Sequence, residues 1–143
     1  MPKITRREIR DSAMKLLFEM TLRDDPVDML YEIAEEIDEI IVNEDVRKLV
    51  DGTLAHQEEI DGLIQKYSPK RSISRIAKLT LAILRLAMYE ILYDDLTPTN
   101  AAINEAVLLA ENYSYNEEDV RFINGLLGAY ARAEQKEQDG SAS

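Results

Sequence analysis

Arg6, Arg7 and Arg10 are the residues of this chain best suited to chemistry, and that chemistry is the capture of anions. Arg6 and Arg10 are four residues apart with Arg7 alongside, so on a helix the three project together near its start. A helix N-terminus already carries positive partial charge, and each added cation there costs roughly a few tenths of a kcal/mol. Such a concession invites a functional explanation. A second basic stretch runs from Lys66 to Met88, with Lys66, Lys70, Arg71, Arg75, Lys78 and Arg85 and no acid at all. If both groups face one side, they form a strip that can hold a short RNA, because a polyanion responds to the field within a Debye length of about 8–10 Å. The plainer alternative is that these cations only solubilise two helices.

The strip has to be reconciled with a formal net charge of -11. The charge is segregated. Residues 1–23 hold six basic groups, with Lys3, Lys15 and Arg23 completing the set, against three acids. Residues 24–65 hold 2 basic and 14 acidic groups, and residues 89–143 hold 3 and 11. An acidic remainder repels RNA from everywhere but the strip, which lowers non-specific affinity and raises the demand for a helper. It also suits a basic protein partner.

Other chemistries fail on inventory. The absence of Cys removes disulfides, thiol catalysis and Cys-based zinc sites together. His56 is the single His, so a helical di-metal carboxylate site built from two Glu-x-x-His motifs is out of reach. In the polar run His56-Gln57-Glu58-Glu59 it reads as solvated helix surface. No nucleophile, base and oxyanion donors assemble into a site, so no catalysis, cofactor or metal is expected. The N-terminus lacks a secretory signal and no apolar run reaches about 18 residues, so a cytoplasmic protein without a membrane span is expected.

The elements that must position the cations read as helices throughout. With 143 residues, 45% of them hydrophobic and only five Gly and four Pro, one all-α domain is expected. Thr5 and Glu8 form a capping box ahead of Ile9, Ala13, Leu16, Leu17 and Met20 at helical spacing. Asp25 reads as the N-cap of a second helix with Pro26 at its first position and a buried stripe of Leu30, Ile33, Ile37, Ile40 and Ile41. Asn43 caps a third helix whose pattern continues to Ile64. Ser68-Pro69-Lys70-Arg71-Ser72 joins two helical halves, about 1–68 and 72–135. The apolar residues between Ile73 and Leu92 surround most of a helix, which places it centrally; whether Ile73 to Lys78 is a separate short helix stays open. Thr97-Pro98 or Thr99 starts the next helix, and Asn116 with Asp119 caps the last. Residues 136–143 turn polar and read as a frayed tail.

Several fragments occur together, in order. They are Arg6-Arg7-Glu8-Ile9-Arg10 before Ala13 and Leu16-Leu17-Phe18, then Ile60-Asp61-Gly62-Leu63-Ile64, then Arg75-Ile76-Ala77. Ile83-Leu84-Arg85-Leu86-Ala87-Met88-Tyr89-Glu90, Ala102-Ile103-Asn104-Glu105-Ala106 and Arg121-Phe122-Ile123-Asn124-Gly125-Leu126-Leu127 follow. Over nearly the whole chain this resembles the NusB family of bacterial transcription antitermination factors. The resemblance implies two small helical bundles of about six or seven helices packed as one domain. It implies binding of boxA, a short single-stranded RNA element, together with the small-subunit ribosomal protein NusE, and through them an indirect association with the RNA polymerase elongation complex. A homodimer is compatible with it.

Carried onto matching positions, the resemblance makes Lys3, Arg6, Arg7, Arg10 and Lys15 candidates for phosphate, and Phe18, Tyr113 and Phe122 candidates for bases, with Arg121 beside the last. Glu118 is a candidate acceptor from a base edge, and Arg85 a further RNA contact. Phe18 and Phe122 read equally as core, Glu118 as a helix-terminus acid, and Arg85 as half of an ion pair with Glu90 or Glu105. Asn104 and Gly125 read as packing. The chain departs from the family at Thr80-Leu81, where an acid followed by Arg or Lys is common, at Glu111, where Lys is frequent, and around Ser72–Ser74, which lacks an aromatic. Two other readings remain: an acidic helical adaptor that binds only protein, and a module related to those of RNA methyltransferases, whose enzyme would need a catalytic Cys and a further domain.

Overall fold

A computed structural model describes residues 3–114 and 116–141, with the side chains of 138–141 left aside. It contains α1 (Arg6–Leu22), α2 (Val27–Glu35), α3 (Glu44–Ala55), α4 (Gln57–Lys66), α5 (Lys78–Tyr93), α6 (Thr99–Tyr113) and α7 (Glu117–Ser141). A single 3-10 turn, Ile73–Arg75, precedes α5, which answers the question left open there. No strand occurs among the described residues.

Local chemistry explains most boundaries. Thr5 Oγ1 accepts the Glu8 N–H at 3.1 Å and Glu8 Oε1 accepts the Thr5 N–H at 3.4 Å, so two otherwise unpaired donors are satisfied at once. Asn43 Oδ1 accepts the Val46 N–H at 2.8 Å and starts α3. Asn116 Oδ1 accepts the Glu118 N–H at 2.9 Å ahead of α7. The second helix differs from expectation. Pro26, not Asp25, is its N-cap, and the Asp25 carboxylate is held by Arg23 Nε at 2.7 Å instead. That helix ends at Glu35, so its buried face is Leu30, Tyr31 and Ala34, while Ile33 and Ile37 point outward. The expected third helix is two, because the chain turns at His56 between α3 and α4. The last helix continues to Ser141, past the point where the sequence turns polar; Ala142 and Ser143 lie outside the described residues.

α5 is the axis of the molecule. Ten of its residues are buried, from Thr80 through Glu90 with only Arg85 excepted, so nearly every side of it is covered. It touches α1, α3, α4, α6 and α7. The α1–α4 group and the α5–α7 group therefore share one continuous core instead of meeting at a seam. Helix directions follow from the pairs that join them. Arg6 meets Asp94 and Arg10 meets Glu90, so α1 runs antiparallel to α5. Arg7 meets Glu105 and Lys15 meets Tyr113, so α1 runs parallel to α6.

On α3, Gly52 faces Tyr89 of α5, where an added Cβ would lie 2.3 Å from Cζ of the ring. Tyr89 is itself buried, but the atoms in the way are the far end of its ring. The ring is neighboured by His56 and Tyr93 and has to shift, so Gly52→Ala should cost about 1–3 kcal/mol, the usual range for overpacking, despite the better helix propensity of Ala. Urea unfolding will measure it as a lower midpoint with an unchanged slope.

Candidate nucleic-acid interface

The structure does not gather the two basic stretches into one cluster. Arg6 pairs with Asp94 just beyond the C-terminus of α5, whereas Arg71 and Arg75 precede its N-terminus. With 16 residues in α5, the two groups are separated by roughly 24 Å at 1.5 Å per residue. Between α1 and α6 runs a seam. Arg7, Asp11, Lys15 and Phe18 follow one another at helical spacing on the face of α1 beside α6. Lys15 Nζ sits 5.6 Å from the centre of the Tyr113 ring, at the end of α6, and 3.0 Å from Asp11, which also accepts the Tyr113 hydroxyl. Four residues later α7 begins, and on it the Phe122 ring is covered by the Arg71 guanidinium at 4.5 Å.

Along that seam the cations are already paired. Arg7 donates from Nε and Nη2 to Glu105 at 3.2 and 2.9 Å, yet its side chain remains 69% exposed. The hydrogen bond from Arg7 lowers the Glu105 pKa; partial burial opposes this, and the charges of Arg10 and Arg7 add to it. Stability from this carboxylate is therefore present above its ordinary titration range and is lost as pH falls through the lower folded value. For Lys15, burial by itself would lower the pKa, but the hydrogen bond and charge of Asp11 outweigh it and raise the value. That contribution is complete below the ordinary lysine range and is lost as pH rises through the folded value.

Arg10 belongs to the interior, and its reading as a phosphate contact is corrected. It is 5% exposed, with Nε and Nη2 donating to Glu90 at 2.7 and 2.8 Å and Nη1 3.5 Å from Glu105. Ile83, Leu86, Ala87, Ala102, Ala106 and Leu109 surround the pair. Burial disfavours the charged guanidinium, but the hydrogen bonds and charge of Glu90, helped by Glu105 and Asp94, more than compensate and raise its pKa. Arg85 also turns away from the seam. It grips Asp61 on α4 through two 2.8 Å hydrogen bonds, so the expected partners Glu90 and Glu105 are replaced by an acid 24 residues earlier. A residue on α5 cannot face α4 and α6 together.

The remaining candidates are distributed as follows. Lys3 and Glu118 are exposed. Arg6 is tied to Asp94 and one-third exposed. Arg121 is exposed, 3.8 Å from Glu117. Phe18 and Phe122 are half-buried against the core, with an edge left for contact. Tyr113 is more open. Asn104 and Gly125 are exposed, and a Cβ on Gly125 would meet nothing within 4 Å, so their packing reading fails. His56 is half-buried and stacked on Tyr93 at 4.0 Å, not plainly solvated. Sequence reasoning missed Arg71 as the cover of Phe122, and missed Asp11 and Glu105 as the acids that hold the seam. Only the basic run containing Arg71 gave any advance signal.

An all-helical body with paired cations and aromatic edges along one inter-helix seam defines a class of helical protein equipped to meet a polyanion. The NusB family profile matches residues 7–132. The transcription antitermination protein NusB of Acetivibrio thermocellus is 42% identical over 140 residues, covering 95% of this chain and 94% of that protein. The crystal form 2 structure of T. maritima NusB superposes with a TM-score of 0.80 at 32% identity, covering 92% of this chain and 93% of the other. NusB from a crystal structure of the antitermination factors NusB and NusE in complex with dsRNA gives 0.77 at 32% identity, covering 90% and 96%. The chain belongs to the NusB family.

Proposed function

We propose that this chain is a transcription antitermination factor that, with NusE, binds single-stranded boxA-type RNA and helps RNA polymerase resist termination. It works in the cytoplasm by binding, without catalysing a reaction. The observation that carries this reading is the α1/α6 seam, where Arg7 meets Glu105 and Lys15 meets Tyr113, with Phe18 about a turn further along α1 and the Phe122–Arg71 pair on the helix that follows α6. Cations for phosphates beside aromatic edges for bases are what a single strand requires. In this reading Arg7 and Lys15 contact phosphates, Tyr113, Phe122 and Phe18 face bases, and Lys3, Arg6, Glu118 and Arg121 line the margins.

The test is a titration of labelled boxA RNA at several salt concentrations, with and without NusE. If about four phosphates are neutralised, log K falls against log salt with a slope near -3, at about -0.7 per contact. A protein-only adaptor would give no boxA-dependent signal at any salt. Because the related complex contains double-stranded RNA, a duplex of the same sequence belongs in the series; the single strand binds more tightly, since only unpaired bases reach the aromatic edges. Arg7→Ala flattens the slope by about 0.7. Glu105→Gln does the opposite to affinity and raises it, because phosphate no longer has to displace a carboxylate from Arg7. Weaker binding by Glu105→Gln would instead make Glu105 the residue that positions Arg7.

A further inference from the structure

The outer face of α2, with the two residues that follow it, carries exposed apolar and acidic side chains that neither the core nor the RNA-facing seam uses. Leu30, Tyr31 and Ala34 turn inward, and the Tyr31 hydroxyl fixes the helix by donating to Asp51 at 2.7 Å. Met29 and Ile33 are an apolar pair one turn apart, 46% and 38% exposed, and Ile37, just past the end of the helix, is 40% exposed. Asp28 and Glu32 are an adjacent acidic pair at the same spacing, with Glu36 at the C-cap; all three are exposed, and no cation pairs with any of them among the described residues. Isolated apolar side chains on a surface mean little, but an apolar pair on one helix face, continued by Ile37 and flanked by unpaired acids, is a pattern.

We infer that this face of α2 docks a basic amphipathic helix of a partner protein, with apolar residues one turn apart and Lys or Arg beside them. Charge selects that occupant. Residues 24–45 hold ten acids and no Lys or Arg. RNA and anionic membranes are repelled, and a second copy would set ten acids against ten. A helix with complementary side chains buries the apolar ones and satisfies the acids together. The face also lies apart from the seam. Ser12, whose hydroxyl accepts the Ile41 N–H at 2.8 Å, points from a different side of α1 than Arg7, Asp11 and Lys15.

The experiment titrates the full chain with a labelled synthetic helical peptide carrying rows of Leu and Lys at four-residue spacing, beside a control in which Ser replaces each Leu. Saturable one-to-one binding is expected for the first peptide only. Met29→Ser/Ile33→Ser and Asp28→Asn/Glu32→Gln/Glu36→Gln should each weaken it by at least about tenfold. Circular dichroism and boxA affinity of both variants should match the parent chain, which separates failure of this site from failure of the RNA reading. Equal binding of the two peptides, no saturable binding, or indifference to both variants overturns the proposal. So does a homodimer seen by sedimentation that dissociates with Met29→Ser/Ile33→Ser, since the occupant would then be a second copy.

Discussion

Arg10→Ala should remove about 3–5 kcal/mol of folding stability, the cost of leaving a buried carboxylate without its partner. Arg10 and Glu90 join α1 to α5 inside an apolar shell, and the 1% exposure of Glu90 leaves water no route to replace the lost donors. Small domains are stable by only about 5–15 kcal/mol, so a large part of the molecules would unfold in mild urea. The control is Arg10→Met/Glu90→Leu, which removes both charges and keeps apolar volume. It should recover much of the loss, because an apolar pair avoids the desolvation that an ion pair must overcome. Both measurements come from urea unfolding. The salt dependence of RNA binding then separates the roles. In the double variant the slope should equal that of the parent chain, because no phosphate contact has been removed. A well-folded Arg10→Ala protein whose slope flattens by about 0.7 would return Arg10 to the RNA.

Phe122→Ala has the second large effect, a loss of about 1–3 kcal/mol in boxA affinity, the usual worth of a base stacked on an aromatic ring. The geometry adds a condition. Arg71 already covers the Phe122 face at 4.5 Å, within the range of a cation–π contact. A base meeting this corner stacks on the guanidinium plane or takes its place on the ring. Arg71→Ala should therefore weaken RNA comparably, and the double variant should lose less than the sum of the two. Phe122 is half-buried and packs against the core, so stability has to be measured alongside. If Phe122→Ala loses several kcal/mol of stability while affinity per folded molecule holds, the ring is core and the base-facing aromatics of the seam are Tyr113 and Phe18.

The acidity of the chain has a structural counterpart. Arg6, Arg7, Arg10, Lys15 and Arg85 each have a carboxylate partner, and most of those partners come from distant parts of the sequence. Counting charges along the chain finds strong positive segments; the folded surface shows a seam already partly neutralised. In the proposed function RNA would compete with internal acids for the same donors, which underlies the expected gain from Glu105→Gln and would raise the demand for a protein helper.

The sequence by itself determined what depends on neighbours a few residues away. The capping box at Thr5 and Glu8, the Asn43 and Asn116 caps, the all-helical class and the central place of α5 follow from hydrogen bonds and apolar spacing within a turn or two. Family membership was legible for a similar reason, as an ordered set of short fragments. The tertiary structure decided everything that required two helices to meet. Arg7 and Glu105 are 98 residues apart, Arg10 and Glu90 are 80 apart, and Arg85 and Asp61 are 24 apart. Helical periodicity specifies which side of a helix a charge occupies but not which helix lies opposite. The antiparallel run of α1 against α5 sent Arg10 inward and held the α1 cations far from Arg71 and Arg75, while the packing of α4 on α5 gave Arg85 its partner Asp61.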